Sequence, residues 1–460
     1  MRSSVATEIT EGVIWRQILR YATPILLSNL LQHGYSTVNL LIVGRHADHA
    51  AMAAIGSTGA LGMLVTGLFI GLGTGASVVM AQSYGARDHE RVHRTVHTSL
   101  AMALLGGAFL TLVGILLTPV MLRLLGTPPD VYGGACVYMR IYFAGIIPSL
   151  VYNYGSALLR AVGDSRRPLY FLATAAVANI LLSWFFVAVC RWGVFGAGLA
   201  TALAQLLAAV LTVSSLMRAN ASYRLHPREL AFDAAIVRAS LAIGVPSGVQ
   251  AMLMSLSNAF IQSRINQFGS EAVAGATAAN LIDGHLYVLM NAFGLAATTF
   301  TGQNIGAGKP GRVRRGTLIV LAMSIATSFL IGLPIGANMM SLLSLFSDDA
   351  RVLECGLTML SYYPTLYWLF AIGEVLSGVI RGSGRAQVPM LATLVCMTGF
   401  RFAWNLTVLP VVRSFDVLAV SYPLSWMLVA IVMSLYYCFG RWLRTPDGRW
   451  LRLRDMRTNT

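Results

Sequence analysis

Long apolar stretches separated by short polar or basic connectors run along almost the whole 460-residue chain. About 20 apolar residues are enough for a helix to cross the hydrocarbon core of a bilayer. The pattern predicts twelve transmembrane helices, over 22–43, 52–80, 96–121, 133–159, 168–190, 195–217, 238–265, 272–301, 316–345, 353–379, 388–412 and 417–440. The expected fold class is therefore an all-α integral membrane protein.

The chain also contains an internal duplication with a constant offset of 221 residues. The segment 82–86 (QSYGA) recurs at 303–307 (QNIGA), and the segment 160–163 (RAVG) recurs at 381–384 (RGSG). Because arginines accompany both copies, the two repeats should have the same orientation in the membrane. The duplication predicts two pseudo-symmetric six-helix bundles, 21–217 and 238–440, with an amino-terminal segment 1–20, a basic linker 218–237 and a basic tail 441–460.

Composition and charge support a membrane location. Residues are 56% hydrophobic and 11% charged, against about 25% charged in soluble domains. Of the 33 cations, 25 lie at the termini and in alternate connectors, so both termini should be cytoplasmic in a bacterial inner membrane. The cations form no single patch, and we expect no nucleic-acid partner. The tail, with Trp442 and Trp450 among its arginines, is expected to lie along anionic headgroups.

The sequence contains no recognisable enzyme motif or metal-binding motif. Five cysteines are scattered with no CxxC spacing, which argues against a disulfide framework and a structural zinc site. The nearest approach to a phosphate-binding loop, at 306–309 (GAGK), has proline where the magnesium-binding serine or threonine belongs. The sequence predicts no catalytic residue, no metal site and no enzymatic activity.

Polar residues recur at helical spacing inside several apolar stretches. Such groups are costly in lipid and should face a cavity or a partner. Two interpretations stay open, a solvated central cavity that binds a substrate and hydrogen bonds between helices. The candidates are Asn29, His33, Ser36 and Asn39 on the first helix, Asn153 on the fourth, Gln250 and Asn258 on the seventh, and Asn280, Asp283, Tyr287 and Asn291 on the eighth.

Charged residues inside the predicted spans are few. Asp283 and Glu374 are the carboxylates well inside them, and Arg401 lies at a depth that suits Asp283 better. Asp283 is either a cation-coupling acid or the partner of Arg401 in a structural salt bridge, and the same two roles are open for Glu374. Arg140 either extends to the outer headgroups or lines a polar cavity.

These motifs together resemble the multidrug and toxic compound extrusion (MATE) family of secondary transporters, over residues 24 to about 440. The resemblance rests on Gly44-Arg45, the two Gln-Gly-Ala blocks, the segment 159–164 (LRAVGD) with Pro168, the segment 291–294 (NAFG), and the segment 376–382 (LSGVIRG). It implies twelve helices in two bundles around a cleft that opens alternately to each side, and efflux of cationic or amphipathic compounds in exchange for protons or sodium.

One departure from the resemblance concerns the amino-terminal half. MATE-like sequences commonly have an acid near the end of the first helix and, in several subgroups, another in the fifth, and here those positions read Asn39 and Ser183. Coupling is then expected to rest on Asp283 and Glu374, or to be weak. The expected partners are a small-molecule substrate and membrane lipid, with a proton or sodium ion in place of any cofactor and a monomeric chain. The alternative function is a flippase for lipids or lipid-linked saccharides, with Arg140 and Arg401 recognising phosphate.

Overall fold

In the computed structural model, the described residues are 9–46, 49–124, 126–444 and 450–452. All twelve predicted spans coincide with helical segments. The helices are α1 (Ile14–His46), α2 (His49–Gly85), α3 (His89–Leu124), α4 (Pro129–Ala144), α5 (Ile146–Ala161), α6 (Arg166–Ser183), α7 (Gly193–Met217), α8 (Ala234–Ile265), α9 (Ser270–Gly306), α10 (Pro310–Ala337), α11 (Met339–Leu343), α12 (Ala350–Gly382), α13 (Gln387–Ala392), α14 (Phe400–Thr407), α15 (Leu409–Val412) and α16 (Phe415–Phe439).

Within the described residues, nine helices are long and apolar enough to cross a membrane, and the bent pair α4–α5 makes ten. The two predicted spans that fall short lie in α1 and α9, the helices that carry the most continuous polar stripes. The expected all-α membrane fold is confirmed, and the shortfall has a physical cause. The polar side chains within these two predicted spans lower their mean hydropathy.

Several spans predicted as single helices are interrupted. The 133–159 span bends by 44° between α4 and α5, at Gly145. The 168–190 and 388–412 spans contain π-helical turns, Trp184–Val189 and Thr393–Gly399, and the 316–345 span breaks at Asn338. Short helical interruptions of this kind leave the apolar pattern unchanged, so hydropathy does not reveal them.

The chain divides into two compact units. Unit 1 covers residues 24–244, and unit 2 covers residues 9–23 together with the chain from Val245 onward. Both divisions fall inside a helix next to a proline, Pro24 in α1 and Pro246 in α8.

In unit 1, residues mainly of α2 to α7 form an apolar core. The basic linker ends at Asp233, whose Oδ1 accepts hydrogen bonds from the amides of Ala235 (2.9 Å) and Ile236 (3.2 Å) at the start of α8. Arg94 lies 3.2 Å from the same carboxylate. The Ile236 amide, the Ala235 amide and Arg94 together hold the pKa of Asp233 below its ordinary value. Asp233 thus caps α8 and joins it to α3.

Unit 2 is organised around α9 and α12, which pack along their length. A Cβ at Gly275 of α9 would lie 2.5 Å from the carbonyl oxygen of Val352 and 2.7 Å from the amide nitrogen of Gly356 in α12. The two backbones are therefore nearly in contact, as small residues permit in membrane helices. This close approach fixes how α9 and α12 present their polar side chains to each other.

The amino-terminal arm, Ile9 to Gln17, belongs to unit 2. The Ile9 amide donates to Oε1 of Gln303 (3.3 Å), and both residues are fully buried. Arg312 donates to the carbonyl of Glu11 (3.0 Å) and to Oε1 of Gln17 (2.9 Å). The arm is thus held by the QNIGA block and by the first turn of α10.

The tail differs from its prediction. Residues Arg441–Arg444 (β1) and Trp450–Arg452 (β2) form an antiparallel pair. Trp442 is fully buried, stacks on Tyr437 at 4.9 Å and donates through Nε1 to the Tyr437 carbonyl (2.7 Å). The expectation that Trp442 lies on headgroups is wrong, because protein groups take both its ring and its N–H donor.

Candidate functional site

The central feature of unit 2 is the carboxylate of Asp283 on α9. The Tyr367 hydroxyl of α12 is hydrogen-bonded to it, whereas Oδ1 of Asp283 is closed to solvent and has no hydrogen-bond partner among the described residues. A buried acceptor without a partner is energetically costly. Asp283 therefore keeps capacity to accept a proton or to contact a cation.

Arg401 on α14 lies near this carboxylate but is not its ion-pair partner. Arg401 is 3% exposed, and its guanidinium donates to Ser425 (2.9 Å), Asn258 (3.2 Å) and Ser257 (3.5 Å). It also lies over the Tyr422 ring, 4.4 Å from the centroid. Among the described residues, no ion pair within 4.0 Å joins Arg401 to Asp283. The salt-bridge interpretation is wrong because hydroxyl, amide and aromatic groups satisfy the guanidinium.

An aromatic wall adjoins these charges. We define it as Tyr287, Tyr363, Tyr367, Phe370, Tyr422 and Trp426, from α9, α12 and α16. Trp426 is its centre, with ring centroids 5.0 Å from Tyr367 and 5.7 Å from Tyr363. Of these six residues, sequence reasoning identified Tyr287 and missed the rest. The missed signal was the i, i+4 spacing of Tyr363 with Tyr367 and of Tyr422 with Trp426, which puts each pair on one helical face.

Glu374 has a different environment from Asp283. Its Oε1 lies 3.7 Å from a guanidinium nitrogen of Arg381, and the two side chains are 13% and 12% exposed. A Cβ at Gly294 would meet Glu374, so this acid occupies the space left by a glycine of α9. Glu374 is therefore ion-paired with Arg381, which lies in the last turn of α12, two turns further along the helix.

The other candidates lie at several places. Gln250 donates to Thr393 (3.1 Å), Asn258 accepts from Arg401, and Asn153 donates to the Ser149 carbonyl (2.8 Å). The bonds of Gln250 and Asn258 join different helices, as one of the two interpretations expected, whereas the bond of Asn153 stays within its own helix. Half-buried side chains include those of Asn29, Asn280 and Asn291, whereas Tyr287 and Arg140 are exposed. The side chains of His33 and Ser36 lie outside the described part of the structure.

In unit 1, the positions that lack acids form a neutral polar group. Buried oxygens without a hydrogen-bond partner among the described residues belong to Asn39, Asn179, Ser183 and Gln205. Asn179 and Gln205 line a cavity of about 10 Å³, which has room for one water molecule at most. Ile42 and Val43, one turn beyond Asn39, pack against Val187, one turn beyond Ser183. The two positions are thus at the same level, and both present uncharged oxygens.

Comparison with known proteins agrees with this architecture. A model of the MatE family matches residues 24–185 and matches again at residues 246–407. The chain belongs to the MatE family. The two matches begin 222 residues apart, which confirms the duplication. MatE membership also confirms the resemblance that the sequence motifs indicated.

The relatives cover almost the whole chain. The probable multidrug resistance protein YoeA of Bacillus subtilis (strain 168) is 28% identical over 444 residues, which is 93% of this chain and 94% of that protein. An FAD transporter of Shewanella oneidensis (MR-1) is 26% identical over 349 residues, 74% of this chain and 76% of its own length. These MatE relatives carry different names for what they transport, so kinship alone does not identify a substrate.

Solved structures show the same fold. A crystal structure of MATE in the straight conformation superposes with a TM-score of 0.88 at 21% identity, covering 95% of this chain and 98% of that one. A MOP superfamily transporter from Pyrococcus furiosus superposes with a TM-score of 0.86 at 22% identity over the same shares of the two chains. The chain therefore shares the fold of these two proteins, and by its MatE membership it is a multi-pass membrane protein of a transporter family.

Proposed function

We propose that this chain is a secondary active efflux transporter that exports cationic or amphipathic small organic compounds in exchange for protons or sodium by alternating access. The observation that carries the proposal is the Asp283 carboxylate, with one buried oxygen unpartnered among the described residues, beside an aromatic wall. The names of the MatE relatives, multidrug resistance proteins among them, agree with this function.

Asp283 is the proposed coupling residue. An exchanger needs a group whose charge changes or is neutralised when an ion binds, and a buried carboxylate with an open acceptor meets that requirement. Glu374 is already paired with Arg381, so it serves as a second site or gate. Arg401 supplies a fixed positive charge whose donors are held by neutral partners, Ser425, Asn258 and Ser257.

Tyr287, at the exposed edge of the aromatic wall, is the proposed contact point for substrate, and Tyr363, Tyr367, Phe370 and Trp426 are buried behind it. Tyr287 is 37% exposed and its ring packs 5.8 Å from that of Phe370. Aromatic faces attract organic cations by about 0.5–2 kcal/mol and pack against flat apolar compounds without fixed geometry. Such a surface suits a set of compounds that are all cationic and flat but differ in their hydrogen-bonding groups.

The proposal includes orientation and partners. Both termini are cytoplasmic in a bacterial inner membrane, because the basic connectors lie on their side. The chain acts as a monomer with lipid and a small-molecule substrate as its partners, and a proton or sodium ion takes the place of any cofactor. The flippase alternative has less support. Its two phosphate-binding candidates are Arg140 and Arg401, and the guanidinium of Arg401 already donates to Ser425, Ser257 and Asn258 instead of facing a phosphate.

The test is transport by purified protein in proteoliposomes, with ethidium as the cationic probe and with proton and sodium gradients imposed in separate preparations. The wild-type chain should accumulate ethidium under one of the gradients. Asp283→Asn should bind ethidium but lose gradient-driven accumulation. Asp416→Asn, at an exposed acid in the first turn of α16, is the matched control and should transport normally.

Two results would contradict the proposal. Wild-type accumulation by Asp283→Asn would show that coupling does not depend on this acid. Absence of accumulation by the wild type under both gradients, together with translocation of a fluorescent phospholipid in the same vesicles, would favour the flippase.

A further inference from the structure

A second cluster of titratable side chains lies in unit 1, at the start of α3. His93 and His97 are one turn apart on this helix, and Glu229 comes from a 3₁₀ turn, Pro227–Glu229, in the basic linker. One ligand atom from each of the three residues lies within 4.8 Å of the other two. Nothing in the proposed transport cycle uses this cluster.

The cluster is outside the hydrocarbon core. At 1.5 Å per residue, the 36 residues of α3 make a helix roughly 54 Å long, which exceeds the ~30 Å core. The His93 and Glu229 side chains are 38% and 55% exposed. An ion in the aqueous phase can therefore reach both.

Hydrogen bonds fix the state of His97. Its Nε2 accepts from the His226 amide (3.0 Å), so Nδ1 carries the proton and donates to the His93 carbonyl (2.7 Å). Histidine ligands of metals usually donate their second ring nitrogen to a carbonyl or carboxylate in this way. His97 is consequently held with the Nε2 lone pair directed toward the linker.

The distances suit a small tetrahedral ion. Metal–ligand bonds of 2.0–2.1 Å separate two ligand atoms by about 3.3 Å. His93 Nε2 and Glu229 Oε2 are 3.0 Å apart, and the two histidine rings lie 4.1 Å apart. The three ligand atoms lie within 4.8 Å of one another, so rotations of the more exposed His93 and Glu229 side chains would bring them around one ion with His97 in place.

We propose that His93, His97 and Glu229 form a site for a divalent transition-metal ion of the Zn²⁺ class, with water as the fourth ligand. Two histidines and one glutamate are a ligand set that zinc uses in open sites. When the metal binds, its bond to Nε2 of His97 replaces the hydrogen bond that this nitrogen accepts from the His226 amide. The ligand Glu229 then connects the basic linker to α3 through the metal. The site clamps the segment between the two repeats onto the first repeat.

The experiment measures metal binding by the purified full-length chain, prepared without a polyhistidine tag and stripped with chelator. Co²⁺ is the optical probe, since tetrahedral Co²⁺ absorbs strongly in the visible, and Zn²⁺ is then used to displace it. The wild type should bind one ion per chain, and Zn²⁺ should raise its melting temperature. Glu229→Gln and His93→Gln change exposed side chains and leave the buried His97 in place, so both variants should fold.

Each of these variants should bind at least tenfold more weakly, because loss of even an outer-shell partner commonly costs that much. His89→Gln, an exposed histidine one turn before His93, is the matched control and should bind like the wild type. The proposal is overturned if the wild type binds no Co²⁺ or Zn²⁺ at stoichiometric concentration. It is also overturned if His93→Gln and Glu229→Gln bind as tightly as the wild type. Neither readout depends on transport, so failure here leaves the proposed function untouched.

Discussion

The contact of Gly275 with α12 allows a quantitative prediction. In Gly275→Ala, the added methyl would lie 2.5 Å from a backbone oxygen, where ordinary contact begins at 3.4 Å. The two helices must therefore separate by about 0.9 Å. Overpacking of this kind costs about 1–3 kcal/mol, because neighbouring backbone atoms, unlike a flexible side chain, cannot rotate away. The opposing gain is about 1 kcal/mol, since alanine favours a helix over glycine.

Gly284→Ala, on the same helix, provides the control. A Cβ at Gly284 meets no atom within 4 Å, so this variant receives only the gain in helix propensity. The free energy of unfolding should then differ between the two variants by about 1–3 kcal/mol. With roughly 2–4 °C per kcal/mol for a unit of this size, Gly275→Ala should melt about 2–12 °C below Gly284→Ala.

The assay is thermal unfolding of both purified variants in the same detergent. Unfolding is monitored as the loss of the monodisperse peak in size-exclusion chromatography after heating. Gly275→Ala should also show weaker ethidium transport, because α9 carries Asp283 and α12 carries Tyr367. A melting temperature of Gly275→Ala equal to or above that of Gly284→Ala would refute the close backbone contact between α9 and α12.

Three further perturbations test other parts of the structure. Asp233→Ala should lower thermal stability, and Asp233→Asn should lower it less because asparagine can still cap α8. Since the pKa of Asp233 is depressed, its stabilisation is present at neutral pH and is lost as the pH falls through that pKa. Melting curves recorded from pH 7 downward would show this loss. Trp442→Ala should cost about 3–5 kcal/mol and reduce yield, whereas a normal yield and melting temperature would contradict its burial on Tyr437. Arg401→Ala should lower the melting temperature more than Asp283→Asn does, and equal stability of the two variants would show that the guanidinium contacts contribute little.

The fold followed from the sequence because lipid demands a long apolar run for every crossing, and such runs are visible without a structure. The bend at Gly145 did not follow, since one glycine inside an apolar run is compatible with a straight helix. Trp442 was misplaced for a related reason. A tryptophan among arginines is typical of a membrane interface, and only the tertiary structure reveals that Tyr437 packs against it.

The site was predicted in part, and the limit is geometric. Rise per residue gives the depth of Asp283 and Arg401 along their helices but not the direction in which each side chain points. Similar depth therefore suggested an ion pair, whereas Arg401 turns toward Ser425 and Asn258. The cluster with Glu229 was missed because His93 and His97 lie more than 130 residues away from Glu229 in the sequence, and only the linker's path joins them.

The arm from Ile9 to Gln17 has a consequence for how the protein is made. It leaves the ribosome before residues 24–244 of unit 1, yet its hydrogen-bond partner Gln303 comes 294 residues later. At about 5–20 residues per second, roughly 15–60 s of translation separate the two. During this interval unit 1 can be completed, while the arm has no native partner. Ile9, which is buried in the folded protein, is then accessible to chaperones and proteases. Completion of unit 2 therefore requires an early segment of the nascent chain to meet a segment made after unit 1, so products that stop before Gln303 leave Ile9 without its native partner.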